Sequence, residues 1–206
     1  MLGSREAGTQ HWRADGPIFV MPFIDPEHAQ RTAQLMASRA GCGGLLLAVH
    51  DDARDGFIAL ANRIFMATES RYFGYVAQDA FPGRYWLRLA LTAFEKPENK
   101  LVGFNDGKWF GKLASYGIAR RDWAEKVYGG PLFFPQYRRH YADAELSLIA
   151  AQEKGLGFVP NSVLIEVDWE KEEQPVEAAD RRLFAERAKA GFDGRVTSKE
   201  LREQFA

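Results

Sequence analysis

Three aspartates in the first half of the chain have side chains suited to binding a nucleotide. Asp51 and Asp52 form an adjacent pair directly after one apolar run, and Asp79 closely follows the next such run. Carboxylates accept hydrogen bonds from a base or a ribose, and they supply the oxygen ligands that Mg²⁺ or Mn²⁺ takes beside a diphosphate. Aspartate is also favoured in turns and at helix N-caps. That structural alternative stays open for each of the three.

The segments around these aspartates predict an α/β fold. Apolar runs at residues 18–21, 44–49 and 72–77 predict buried strands, and the segments between them predict helices. The first helix begins at Asp25-Pro26, an N-cap acid followed by proline at the first helical position. Strands that alternate with helices at this spacing predict a mostly parallel sheet with right-handed crossovers.

The same arrangement predicts where a ligand binds. Ligands of open α/β sheets bind beyond the carboxyl ends of the strands. Asp25, Asp51, Asp52 and Asp79 all fall just after predicted strands. Because parallel strands end at one edge of a sheet, we expect these four side chains at that edge.

The second half of the chain has a different pattern. Residues 101–104 and 111–116 predict two strands around an Asn105-Asp106-Gly107 hairpin turn. Helices are predicted at 120–127 and 142–154, a late strand at 163–167, and charged helices beyond 170. We therefore divide the chain into an irregular arm (1–16), an α/β domain (17–169) that holds the candidate site residues, and a charged helical extension (170–206).

Composition excludes several classes of protein. Apolar residues make up 46% and charged residues 27% of the chain, as in ordinary globular proteins. A net charge of −1 gives no overall preference for nucleic acid or membrane. The single cysteine, Cys42, excludes an internal disulfide. The sequence predicts no membrane span and no signal peptide, so we expect a cytoplasmic protein. It predicts no oligomeric state.

Several short segments, in this order, resemble family 2-type glycosyltransferases with the GT-A fold. Those of the first half are Val20-Met21-Pro22, Val49-His50-Asp51-Asp52, Leu60-Ala61-Asn62-Arg63 and Tyr75-Val76-Ala77-Gln78-Asp79. In the second half, Tyr141-Ala142-Asp143-Ala144-Glu145-Leu146 resembles the Glu-Asp-x-Glu-Leu segment of that family. The resemblance runs from about residue 18 to 168. It implies a GT-A-like mixed, mostly parallel sheet flanked by helices.

The resemblance also implies how a nucleotide-sugar donor would bind. Pro22, Asp51, Asp52 and Asn62 would contact its nucleotide. Asp79 would bind a divalent metal, Mn²⁺ or Mg²⁺, that bridges the donor diphosphate.

Two further residues gain a role from the resemblance. Asp168 stands where the family sometimes has a metal-binding histidine, and it is the second candidate metal ligand. Asp143 would be the general base that takes the proton of an acceptor hydroxyl during an inverting transfer. The acceptor hydroxyl would belong to a glycan, a protein or a modified nucleic acid. An acid in the first turn of a helix is also favoured by the helix dipole alone.

Two other functions are compatible with this fold. A nucleotidyltransferase shares the sheet and the metal chemistry, but the loop Pro22-Phe23-Ile24-Asp25 lacks the basic residues that such enzymes use. A non-catalytic binding or assembly module would retain the fold without the chemistry. The basic and aromatic run at residues 136–141 can hold phosphates or stack a sugar, or it can be a solvated loop.

Overall fold

A computed structural model of the chain describes residues 2–167 and 178–205, so the predicted metal ligand Asp168 lies outside the described residues. The strands, in chain order, are β1 (Leu2–Gly3), β2 (Trp12–Arg13), β3 (Ile18–Phe23), β4 (Leu45–His50), β5 (Thr68–Glu69), β6 (Tyr72–Tyr75), β7 (Ala80–Pro82), β8 (Leu101–Asn105), β9 (Gly117–Arg120) and β10 (Leu156–Glu166). The helices are α1 (Pro26–Arg39), α2 (Phe57–Met66), α3 (Trp86–Thr92), α4 (Arg121–Val127), α5 (Ala142–Gln152), α6 (Ala178–Lys189), α7 (Gly191–Gly194) and α8 (Lys199–Glu203).

Eight of the strands form one mixed sheet in the order β1-β4-β3-β6-β9-β8-β10-β7. Strands β1, β4, β3 and β6 are mutually parallel. Strand β9 is antiparallel to both of its neighbours, so β8 again runs in the direction of β6, and β10 is parallel to β8. The carboxyl ends of β3, β4, β6, β8 and β10 therefore meet at one edge of the sheet. The predicted α/β architecture is confirmed.

Both faces of the sheet are covered, which explains the nearly continuous apolar sequence of its central strand. Alternate residues of β3 belong to two different core clusters: Ile18 and Val20 to one, Phe19 and Met21 to the other. Helices α1 and α3 pack on the second cluster, and α2, α4, α5 and α6 pack on the first. Helix α1 begins as predicted, with the Asp25 carboxylate accepting two backbone N–H groups of the first turn.

Two predicted elements differ from the structure. The strand expected at 111–116 forms later, at Gly117–Arg120. The reason is Asp106, whose carboxylate accepts the backbone N–H groups of Lys108 and Trp109 and the hydroxyl of Ser115. These bonds hold residues 106–115 as a wide loop instead of a tight hairpin. Strand β10 is longer than predicted because its first half pairs with β8 and its second half with β7.

The two ends of the chain contribute to the same core as the central strands. Ala7 of the predicted arm is fully buried in the cluster that contains Ile18 and Val20. Phe184, Phe192 and Val196 of the predicted extension belong to it as well. Within the described residues, no helix combines the length and the apolar character needed to cross a membrane.

Candidate functional site

A cavity of about 810 Å³ opens where β6, β8 and β10 end and α5 begins. Four carboxylates line it: Asp79 after β6, Asp106 after β8, Glu166 at the end of β10, and Asp143 in the first turn of α5. Its basic lining residues are Lys108, Arg139 and His140, and its aromatic ones are Phe57, Tyr75, Trp109, Tyr116, Phe133, Tyr141 and Phe205. The structure thus brings the predicted residues Asp79 and Asp143 into one cavity.

Asp143 has an environment suited to accepting a proton. Burial raises the pKa of its carboxyl group from 3.8 to about 6, the negative charge of Asp106 adds to the rise, and backbone N–H groups at the helix start oppose it. A carboxyl group with this pKa is mostly ionised at neutral pH, and it is a stronger base than an exposed aspartate.

The backbone before Asp143 is held in an unfavourable conformation. Tyr141, the residue preceding α5, has φ +69°, in the left-handed region that bulky side chains rarely adopt. Its ring stacks on Phe184 of α6 with the ring centroids 4.8 Å apart. Such strain persists only where the surroundings enforce it, and it is concentrated at functional sites.

Asp79 is almost fully buried, with 4% of its surface exposed. The hydroxyl of Tyr116 donates to its Oδ1 over 3.0 Å. Burial and the charge of Asp79 raise the pKa of Tyr116 well above its ordinary value, so this phenol remains a donor at any physiological pH.

The described residues contain no group of three or more His, Cys, Asp or Glu side chains placed to hold a metal ion. A metal held by one or two protein carboxylates and completed by ligand phosphates is nevertheless common for Mg²⁺. The buried carboxylate of Asp79 fits that kind of site, as the contribution of this chain to a shared ligand set.

Pro22, Asp51 and Asp52 lie outside the lining of the cavity. Pro22 is buried within β3. The Asp51 carboxylate accepts the backbone N–H groups of residues 55 and 56, at 2.7 and 3.0 Å. The Asp52 carboxylate accepts the N–H and the hydroxyl of Ser4, at 3.0 and 2.5 Å, and these bonds lower its pKa. Asp52 thereby ties the N-terminal residues to the end of β4.

Asn62 does not line the cavity, but it holds a residue that does. Its amide donates to the carbonyl of Phe133 over 3.0 Å and accepts the N–H of Phe133 over 2.8 Å. Asn62 is buried and Phe133 lines the cavity. Asn62 therefore fixes one wall of the cavity through the backbone.

Sequence reasoning missed Asp106, Glu166, Tyr116 and Trp109 as lining residues. For Asp106 and Glu166 a signal was present, because each lies at the carboxyl end of a strand that runs parallel to β6. The sequence instead predicts Asp106 in a hairpin turn and Glu166 inside a strand that ends at residue 167. No local signal identifies Tyr116 or Trp109, since their positions depend on the wide loop that Asp106 organises.

Helix α6 is attached to the cavity wall by two buried carboxylates. Glu145, fully buried in α5, pairs with the guanidinium of Arg187 in α6 at 2.6 and 2.7 Å. The hydroxyls of Tyr128 and Tyr137 donate to the same carboxylate. Asp180 of α6 accepts three backbone N–H groups from residues 138–140, directly before α5. The segment that carries Asp143 is thus fixed by contacts from α6.

Comparison with known proteins gives matches in structure alone. No protein-family model matches the chain, and no curated protein matches it in sequence. S. aureus TarS (residues 1–349) superposes with a TM-score of 0.63 at 10% identity, covering 92% of this chain and 69% of TarS. The mannosyltransferase PcManGT from Pyrobaculum calidifontis, solved with GDP-Man and Mn²⁺, gives 0.57 at 13% identity, covering 90% and 66%.

A third match is glucosyl-3-phosphoglycerate synthase from Mycobacterium tuberculosis, solved with Mg²⁺ and UDP. It gives a TM-score of 0.60 at 14% identity, covering 90% of this chain and 82% of that one. The chain spans about two thirds of the length of the TarS fragment and of the mannosyltransferase. These neighbours are GT-A-type glycosyltransferases. In its mixed, mostly parallel sheet flanked by helices, the chain has a GT-A-like fold.

Proposed function

We propose that the protein is a glycosyltransferase that moves a sugar from a nucleotide-sugar donor to an acceptor hydroxyl. The observation that carries this proposal is that Asp143 and Asp79 line the same cavity, at the carboxyl edge of a GT-A-like sheet. The structural neighbours support it, because two of them were solved with GDP-Man or UDP.

In the proposed reaction Asp143 is the general base. The acceptor oxygen attacks the anomeric carbon, the bond from that carbon to the diphosphate oxygen breaks, and the nucleoside diphosphate leaves with the electron pair. The Asp143 carboxylate takes the hydroxyl proton. A single displacement of this kind inverts the configuration of the anomeric carbon. General-base catalysis contributes roughly 10²–10⁴-fold to such a rate.

A divalent metal, Mn²⁺ or Mg²⁺, would supply positive charge against the leaving diphosphate. Asp79 would hold this metal, and the hydrogen bond from the Tyr116 hydroxyl would keep the Asp79 carboxylate in one orientation. The metals in the complexes of two neighbours support this role.

For the donor nucleotide the proposal keeps the predicted residues Pro22, Asp51, Asp52 and Asn62, although none of the four lines the cavity. The structure adds a condition for Asp52. To meet a ribose or a base, its Oδ1 has to share or release the hydrogen bonds from Ser4. Asn62 would act through the wall residue Phe133.

A thermal-shift panel of nucleoside diphosphates and nucleotide sugars, with and without Mn²⁺, tests the proposal. At least one nucleotide should raise Tm, because a ligand that binds only the folded state stabilises it. Asp79→Asn should weaken the Mn²⁺-dependent part of the shift. Asp143→Asn should keep the shift and lower the transfer rate by about 10²–10⁴-fold.

Two results would contradict the proposal. If no nucleoside diphosphate shifts Tm, with or without Mn²⁺, the result favours a non-catalytic binding or assembly module. If Asp143→Asn transfers sugar at the wild-type rate, Asp143 is not the base.

A further inference from the structure

The basic run before α5 has no role in the reaction as described so far. Arg139 and His140 line the cavity, whereas their neighbour Arg138 lies outside its lining. The three residues are adjacent in sequence, yet only Arg139 and His140 line the cavity. A comparison of Arg139 with Arg138 can therefore distinguish a specific role in the cavity from the effect of positive charge on the surface in general.

The backbone of this run is fixed by Asp180, which has 1% of its surface exposed. Its carboxylate accepts the N–H groups of Arg138 over 3.0 Å and of Arg139 and His140 over 2.9 Å each. A buried carboxylate with three donors is a strong, directional constraint. Helix α6 therefore fixes the backbone that carries the side chains of Arg139 and His140.

The charge of the cavity makes Arg139 distinctive. Four carboxylates line it, and Lys108 is paired with Glu166 at 3.2 Å. Throughout residues 2–167 and 178–205, no carboxylate forms an ion pair with the guanidinium of Arg139. Arg139 thus gives the cavity a positive charge that no described side chain neutralises.

A ligand with phosphate groups is the natural complement of this arrangement. The carboxylates repel its negative charge, so a cation on the wall stabilises the bound phosphate in addition to the metal proposed at Asp79. A guanidinium binds phosphate oxygens through two parallel N–H donors, and a neighbouring imidazole adds a further donor.

We propose that Arg139 and His140 form a phosphate-binding subsite of the cavity, held in position by Asp180. The inference rests on the proposed function and deepens it. The phosphate is either the diphosphate of the donor or a phosphate group carried by the acceptor, since both present the same oxygens to the guanidinium.

Isothermal titration with two simple probes tests the subsite. Inorganic pyrophosphate stands for the donor diphosphate, and glycerol 3-phosphate for an acceptor that has both a phosphate and a free hydroxyl. Each probe is titrated into the wild type, Arg139→Gln and Arg138→Gln. The two variants lose the same charge from neighbouring positions of one loop, so Arg138→Gln is the matched control.

We expect Arg139→Gln to weaken the binding of at least one probe by about tenfold or more, the effect of a charged hydrogen bond. Arg138→Gln should bind both probes as the wild type does. Loss of pyrophosphate binding alone assigns the subsite to the donor, and loss of glycerol 3-phosphate binding alone assigns it to the acceptor.

Three results would overturn the inference: a wild type that binds neither probe, an Arg139→Gln variant that binds both normally, or equal losses in the two variants. None of them depends on catalysis. If Arg139-dependent binding appears but no sugar transfer is found, the subsite stands and the proposed function fails. If sugar transfer is found but the binding of both probes is independent of Arg139, only the subsite fails.

Discussion

At the scale of single residues, the cavity holds carboxylates in contrasting environments. Asp143 is partly buried near a second negative charge, which raises its pKa, whereas Asp79 receives a hydrogen bond from Tyr116. Asp52, outside the cavity, has a lowered pKa because Ser4 donates to it twice. The raised pKa of Asp143 suits a proton acceptor, whereas the lowered pKa of Asp52 keeps that carboxylate an acceptor of hydrogen bonds.

The pKa of Asp143 predicts the acid limb of the pH profile. In the proposed reaction, transfer requires the ionised carboxylate of Asp143, so kcat/KM should fall about tenfold per pH unit below about 6. Initial rates measured from pH 4.5 to 8 at saturating metal check this. A profile whose acid limb lies near pH 4 would mean that Asp143 is solvated like an exposed aspartate.

The same pKa predicts that stability depends on pH in the opposite direction to activity: ionisation of Asp143 favours the proposed transfer and disfavours the folded state. Because the folded state raises this pKa above 3.8, the contribution of Asp143 to stability is full below about pH 4 and is lost as pH rises through about 6. Asp143→Asn should therefore stabilise the protein at pH 8 by roughly 1–3 kcal/mol, and much less at pH 4. Urea unfolding at both pH values measures the difference. A variant that is equally destabilised at both values would contradict the assignment.

At the scale of elements, the sequence located α5 and its first-turn acid but not what fixes them. The Tyr141–Leu146 segment marks a helix start in sequence, whereas the attachment of α5 to α6 joins residues about 40 positions apart, such as Glu145 and Arg187. The Asp51-Asp52 pair shows the same limit. Its position after β4 was predictable, but the bonds to Ser4, 48 positions away, were not. Sequence patterns contain information about neighbours along the chain. They do not predict these contacts, because the partners come together only when the sheet has formed.

Removing one partner of the Glu145–Arg187 pair should be costly. Arg187→Met leaves the fully buried Glu145 carboxylate without its cation, and we expect a loss of about 3–5 kcal/mol in the free energy of unfolding. The double variant Glu145→Gln, Arg187→Met buries no charge and keeps the donors from Tyr128 and Tyr137. It should be more stable than Arg187→Met alone by urea denaturation. Strictly additive effects of the two substitutions would show that the pair is not coupled.

At the scale of the whole molecule, one core joins parts that composition suggested were separate. The charged sequence beyond residue 170 predicted an extension, but four apolar side chains of its described part are buried in the core beside the central sheet: Phe184, Ala188, Phe192 and Val196. The composition of a segment counts the residues of the exposed and the buried face of a helix together. A short amphipathic helix with a charged exposed face therefore has the same composition as a solvent-exposed extension. The fold class was predictable because alternating strands and helices leave few ways to build a sheet.

Phe184 tests this shared core. It is 1% exposed and packs against Tyr141 and Phe192. Phe184→Ala should lower the free energy of unfolding by about 3–5 kcal/mol, as expected for a large cavity in a core. Phe110→Ala is the matched control, because Phe110 is 66% exposed and its truncation should change stability by less than about 0.5 kcal/mol. If the two variants unfold at the same urea concentration, α6 is not part of the cooperative unit.

The strand order of the central sheet also affects the tendency of the protein to aggregate through its edge strands. An open sheet has two edges whose unpaired N–H and C=O groups can recruit a strand from another molecule. Here the outermost strands are β1 and β7, of two and three residues. Strand β1 pairs with Val49 and His50 at the end of β4, and β7 pairs with residues 164–166 of β10. The bonds from Ser4 to Asp52 fasten β1 against β4. Beyond any part in nucleotide binding, Asp52 thus helps to keep the carboxyl end of β4 paired within its own molecule.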